Sequence, residues 1–202
     1  MSRMSPRLVA LLVILAAAPH AANAAPITID FESLNDGDAV TNQFLGLTFS
    51  NTTVLTAGVS LNELEFPPFS GSDVAYDKSG PVRIDFTSAV TSVGGYFNYA
   101  VPLTLSAFNS SNVFLGSVSS AFNANLALSG DVGSSPNEWL AFSGVGIAYV
   151  VLSGDVSGAS FTLDNLTYDT EVRAAPEPAT LTLLLFGSAV VGYRRLRGKT
   201  VL

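Results

Sequence analysis

Phe161-Thr162-Leu163-Asp164-Asn165-Leu166-Thr167-Tyr168 carries apolar side chains at 161 and 163, and again at 166 and 168. A spacing of two is the period of a half-buried strand. The step of three between 163 and 166 is a phase slip, and one extra residue at Asp164-Asn165 restores the pattern. That is how a β-bulge reads in sequence, and a bulge re-aims the side chains beside it. Several other segments between 26 and 172 follow the same period.

Working outward, Val82, Ile84 and Phe86 alternate with Arg83 and Asp85 after Pro81. Ile27, Ile29 and Phe31 alternate with Thr28, Asp30 and Glu32. Segments 45–50, 93–99, 103–108 and 113–118 add short strands, with Asn35-Asp36-Gly37-Asp38, Pro102 and Asn109-Ser110-Ser111-Asn112 as turns between strands. Trp139–Phe142 and Ile147–Leu152 are nearly apolar on both faces, as central strands are. Residues 58–73, with Pro67-Pro68, read as one long loop. No segment here keeps a capped 3.6-residue period. Nine or more short strands with turn signals between them predict an all-β domain, a two-sheet antiparallel sandwich of jelly-roll type.

The ends of the chain differ from this domain. Arg3 and Arg7 precede an apolar run, and Ala22-Asn23-Ala24 forms a small-residue cleavage site. This predicts a signal peptide over 1–24, cut after Ala24 or one residue later. At the other end Pro176-Glu177-Pro178 precedes an uncharged stretch, 179–193, and then Arg194, Arg195 and Arg197. These fifteen uncharged residues would form a helix of roughly 22 Å, short against a hydrocarbon core of about 30 Å. Tyr193 and snorkelling arginines extend its reach. The basic cluster keeps 194–202 cytoplasmic and the domain outside. The prolines hold an extended stretch, within the 173–178 linker, at the membrane edge. The residues alone leave an ordinary short anchor open as the alternative.

Pro176-Glu177-Pro178-Ala179-Thr180-Leu181, the short apolar segment and Arg194-Arg195-Leu196-Arg197 together resemble the PEP-CTERM sorting signal of Gram-negative exported proteins. The same type of segment is also called an ice-binding protein C-terminal domain, although the domain ahead of it has no regular Thr ladder. The resemblance covers about 25 residues. It implies recognition of Pro176, Glu177 and Pro178 by a membrane enzyme of the exosortase type. It also implies an inner-membrane stage followed by display at the cell surface or release. Domains that precede such tails are often jelly-roll sandwiches of the carbohydrate-module type.

Composition removes several classes of function. The chain has no Cys, and its one His, His20, lies in the predicted signal peptide. The expected mature domain therefore lacks disulfides, thiolate metal sites and His-based catalysis. Between 25 and 175, Lys78, Arg83 and Arg173 face fifteen acids, a net charge of −12. That excludes a basic nucleic-acid footprint.

What chemistry remains rests on carboxylates and aromatics. If the first and last strands lie side by side, Asp30, Glu32 and Asp164 meet at one corner, a set of oxygens suited to a structural calcium ion. The competing expectation is that Asp164 and Asn165 only close the bulge while Asp30 and Glu32 face solvent. Ile29-Asp30-Phe31-Glu32 and Phe161–Leu166 are similar to the end strands of calcium-binding carbohydrate modules. Tyr76, Tyr96, Tyr99 and Trp139 are the candidates for an aromatic glycan platform, with core packing the simpler expectation for most of them. Glu63, Glu65 and Glu138 are the glutamates from which a glycosidase pair would come. Asn51, Asn109 and Asn165 head sequon-like triplets of the kind that arise by chance in Asn- and Thr-rich chains. The sequence thus predicts an exported, non-enzymatic surface or matrix domain. A carbohydrate-binding module is the first alternative, with extracellular polysaccharide as its partner, and a glycosidase the second.

Overall fold

A computed structural model describes residues 25–170, which fall within one compact unit, Ala24–Glu171. The signal peptide, the Pro-Glu-Pro linker, the 179–193 span and the basic tail lie outside the described residues. Among the described residues there is no helix, and ten strands form one hydrogen-bonded sheet. They are β1 (Ile27–Ile29), β2 (Ala39–Val40), β3 (Leu47–Ser50), β4 (Thr52–Thr56), β5 (Asp73–Asp77), β6 (Val82–Tyr99), β7 (Thr104–Phe108), β8 (Phe114–Ser119), β9 (Glu138–Ser153) and β10 (Phe161–Thr170). Every strand pairing is antiparallel.

The expectation of two separate sheets is corrected by β6 and β9. The sequence suggests a break near 87–92, but β6 runs through it for 18 residues. Its first part, from Val82 to Asp85, pairs with Leu152 to Tyr149 of β9, and Arg83 to Phe86 pair with β3. Its second part pairs with Glu138–Ile147 of β9 and with β10. Register shifts between Asp85 and Ser92 separate the two parts. Bulges bend a strand and increase its twist. Gly144 and Gly146 lie on β9 across from the shift, and Gly146 adopts φ +77°. One half of the sheet thus contains β3, β6, β9, β7 and β8, and the other contains β9, β6, β10, β5, β4 and β2, with β1 beside β10.

The two halves face one another across a single core. Val82 and Leu152 from the first half line the same apolar gap as Ala75, Phe161 and Leu163 from the second. Phe86 and Tyr168 bring their rings within 5.3 Å between centroids. The buried cluster includes Phe31, Ile84, Phe97, Tyr99, Leu105, Leu140 and Ile147. Burying each large apolar side chain contributes about 1.5–3 kcal/mol, which suits a domain without disulfides. Asn51, at φ 59°, turns the chain from β3 in one half to β4 in the other. Its short polar side chain tolerates that left-handed conformation and bonds Pro81 O at 3.0 Å.

The first and last strands do lie together, with Ile27 opposite Tyr168 and Ile29 opposite Leu166. The bulge read from the sequence is present, as a register shift between Asp164 and Thr167 with Asn165 at φ 49°. The first strand is shorter than its alternation suggests. It stops at Ile29, and Phe31 takes φ 65° to reach the core, where it is fully buried. Glu32 is thereby turned away from the strand.

Candidate functional site

Three facing residues define the outer surface of the second half. Tyr96 on β6 is opposite Trp139 on β9 and opposite Asp164 on β10. Residues opposite one another in a sheet share a face, and their chain neighbours point the other way. The neighbours Phe97, Leu140 and Leu163 are all buried in the core. The outer face therefore carries an aromatic pair with a carboxylate beside it.

Trp139 is 46% exposed. Its seat is glycine: a Cβ at Gly94 would lie 2.9 Å from Trp139 Cζ2 and 2.6 Å from Ala141 Cβ. Only the bare backbone at Gly94 lets the indole lie across β6. Tyr96 meets Trp139 at 4.9 Å between centroids, tilted by 58°. A third ring comes from the loop before β5. Phe69 stacks on Tyr96 at 3.4 Å and 6°, and remains 45% exposed. Phe69 and Trp139 thus present the outermost surfaces, with Tyr96 packed against both. The assignment of Tyr96 and Trp139 to core packing is corrected here. Tyr99 is in the core, and the Tyr76 ring stands on the outer face farther along the sheet.

The loop from residue 57 to residue 72 is docked on this face. Asn98 donates through Nδ2 to Pro67 O at 2.9 Å and accepts from Asn137 N at 2.7 Å. Ser70 N donates to Asp164 Oδ2 at 2.8 Å, and Ser70 Oγ lies 3.1 Å from Asn165 Oδ1. Glu32 Oε1 accepts from both Ser72 N and Asp73 N at 2.8 Å. On the other side of the loop, Leu55, Leu61, Phe66, Tyr76 and Thr162 line a cleft of about 180 Å³.

Asp164 is 2% exposed. Burial pushes its carboxyl up to about 6, although the amides of Ser70, Asn165 and Phe69 favour the ionised form. The negative charge of Glu32 adds a smaller upward push. Asp77, fully buried, is also raised, again chiefly by burial; it accepts from Ser160 N, Ser160 Oγ and Phe161 N. Tyr99 is pushed up to about 12 by burial and by its hydrogen bond to Glu138.

The calcium set predicted from sequence does not assemble. Glu32 and Asp164 reach the same loop, but Asp30 accepts only from the amide of Glu32, at 3.3 Å. Both Asp164 oxygens and Glu32 Oε1 are occupied by N–H donors, whose positive ends point where a cation would sit, and Glu32 Oε2 accepts from Ser72 Oγ. Among the described residues no group of three or more acidic or other ligating side chains is placed to hold a metal ion. The set does not fit a calcium ion. The bulge-closing role expected of Asp164 is present, whereas Glu32 spends its carboxylate on the loop.

Two of the three glutamates considered for a glycosidase, Glu65 and Glu138, are likewise engaged, and Glu63 is exposed. Glu138 binds the Tyr99 hydroxyl and Ala121 N. Glu65 accepts from Leu128 N and Ser129 N at 3.1 and 3.2 Å, tying another loop down. Phe69 had no signal in the sequence, since a loop residue has no periodicity to read. The Gly94-Gly95 pair beside Tyr96 was the available clue, a flat stretch on which a large ring can rest.

No protein-family model matches the chain, and no curated protein matches it. Among solved structures, it is similar to the K1 cleaved adhesin domain of Lys-gingipain from Porphyromonas gingivalis W83. That match has 10% identity, covers 73% of this chain and 99% of that one, and has a TM-score of 0.44. It is also similar to the tandem CBM22-1–CBM22-2 domain from Paenibacillus barcinonensis Xyn10C, at 14% identity and TM-score 0.41, over 80% of this chain and 49% of that one. The isolated CBM22-1 xylan-binding domain of the same protein matches at 14% identity and TM-score 0.33, over 74% and 95%. Likeness at this level does not transfer a ligand, so the function is argued from the site itself.

Proposed function

We propose that this chain is an exported surface or matrix protein whose folded-over sheet is a jelly-roll-type sandwich that binds polysaccharide without catalysis. The exposed aromatic strip of Phe69, Tyr96 and Trp139 carries this reading. The apolar face of a sugar ring packs against an aromatic face, and a stacked ring on a rigid sheet is already ordered before binding. Lys78 and Arg83 are the only two cations among the described residues, and Arg83 is paired with Asp85 at 2.6 Å. The excess of acid repels uronate- or sulfate-bearing chains, so the fitting partner is a neutral glycan.

Affinity electrophoresis and calorimetry of the exported protein against neutral and acidic polysaccharides test this. Binding to a neutral glycan should fall by about tenfold or more in Trp139→Ala and in Phe69→Ala, a loss of about 1.4 kcal/mol each, with cooperative unfolding retained. Absence of binding to any neutral glycan, or undiminished binding by both variants, overturns the reading.

The tail supports a second element of the proposal. Pro176, Glu177 and Pro178, followed by 179–193 and the arginines, serve as an anchor in the inner membrane and a substrate for an exosortase-type enzyme, after which the domain reaches the surface. Mass spectrometry of the exported protein is expected to show a C-terminus near Pro176. An intact Leu202 would leave the tail as an anchor only.

A further inference from the structure

We propose that Glu32 and Asp164 are positioning residues for the aromatic strip: together they hold the Ser70–Asp73 segment by its amides and so seat Phe69 against Tyr96. The ligand arm of this proposal rests on the glycan reading above.

Phe69 belongs to no strand and keeps nearly half its surface in water. A single stacking contact is a weak tether for a loop residue. Asn98 holds Pro67 O two residues before Phe69, and a second set of bonds follows directly after it. Ser70 N is bound by Asp164 Oδ2, and Ser72 N and Asp73 N are both bound by Glu32 Oε1, each at 2.8 Å. Ser72 Oγ adds a contact to Glu32 Oε2 at 3.3 Å. The two carboxylates come from distant parts of the chain and close on consecutive turns of one segment.

Carboxylates suit this task. An ionised carboxylate is acceptor-only and receives several N–H groups, and its bonds to them are charge-assisted. Between the two clamped points lies Gly71, at φ +57°. A Cβ there would lie 2.2 Å from Glu32 Oε1. The chain can wrap around the Glu32 carboxylate only because residue 71 has no side chain and accepts a left-handed conformation. Asp164 points at the loop because it follows buried Leu163 in regular alternation and lies opposite Tyr96. Asp164 and Tyr96, the ring on which Phe69 rests, therefore stand on adjacent strands.

The test combines NMR on the exported protein with binding measurements. In Glu32→Ala, the Ser72 and Asp73 amides should lose at least about tenfold of their exchange protection. The Tyr96 ring signals should lose the upfield shift that the stacked Phe69 imposes. Affinity for the neutral glycan should fall several-fold, and Glu32→Gln, which keeps an acceptor at Oε1, should restore most of it. In a Phe69→Ala background, Glu32→Ala should change affinity by less than about twofold, since its effect passes through Phe69. Gly71→Ala, which leaves both carboxylates in place, should reproduce the Glu32→Ala shifts. Unchanged Tyr96 shifts and amide exchange in both Glu32→Ala and Gly71→Ala overturn the latch. An affinity loss that persists in full without Phe69 overturns the positioning role. If the wild-type protein binds no glycan, the functional reading fails while the NMR arm still decides the latch.

Discussion

Asp164→Asn should remove the share of stability that Asp164 is expected to add to the wild-type protein on mild acidification. Asp164 is 2% exposed, and burial raises its carboxyl from the ordinary 3.8 to about 6 in the folded state. The native protein therefore binds this proton more tightly than the unfolded chain. The contribution to stability is fully present below about pH 4 and is lost as pH rises through about 6. With each pKa unit worth about 1.4 kcal/mol, the linkage relation gives about 2 kcal/mol between about pH 7.5 and about pH 4.5. Asp77 is raised as well, but it is present in both proteins and its effect cancels in the comparison. Urea unfolding followed by the fluorescence of Trp139, the only tryptophan, measures stability at each pH. Wild type minus variant should be more favourable at the lower pH by about 2 kcal/mol. A difference that is flat with pH would refute the reasoning. A difference of opposite sign would mean that the amides of Ser70, Asn165 and Phe69 outweigh burial and favour the ionised form.

Two further outcomes follow from the same hydrogen-bond geometry. Asp77→Ala removes the acceptor for Ser160 N, Ser160 Oγ and Phe161 N in a fully buried site, leaving two backbone donors orphaned. It should cost about 3–5 kcal/mol by urea unfolding, and a loss under about 1 kcal/mol would show that water replaces the carboxylate. Removing calcium with a chelator should leave the melting temperature of the exported protein unchanged within about 2 °C, because Asp30, Glu32 and Asp164 do not converge. A larger drop would restore the calcium site to consideration.

The periodic parts of the fold were legible in the sequence, and the reason is the strict two-residue period of a strand. Val82, Ile84 and Phe86 face the core as their alternation suggests, and the slip at Asp164-Asn165 is a bulge. The continuity of β6 was hidden because Thr87-Ser88-Ala89 interrupts the apolar series where the strand bends. β5 was hidden because Asp73 and Asp77 bracket it, and both are buried with partners that the sequence cannot display. The aromatic strip was half legible. Alternation separates Trp139 from Leu140, but both are apolar, so the period cannot say which one faces inward. That choice was settled by pairing, which puts Trp139 beside Tyr96 over the bare backbone of Gly94.

The bulge joins these observations into one cause. Under strict alternation from Leu163, Asn165 would point into the core and Leu166 out into water. The extra residue, with Asn165 at φ 49°, sends Leu166 back inside, where it is 2% exposed and opposite Ile29. That pairing fixes β1, and the chain leaving β1 turns at Phe31 so that Glu32 meets Ser72 and Asp73. Alternation from Leu163 already puts Asp164 on the outer face, where it meets Ser70. Of the two groups that clamp the loop, Glu32 thus owes its position to the inserted residue in β10, and Asp164 stands immediately before that residue. A device that closes the sheet between its first and last strands also arranges the surface that carries Phe69. Substitutions at Asn165 should therefore be felt at the aromatic strip, on the neighbouring strands, through the backbone that the bulge sets.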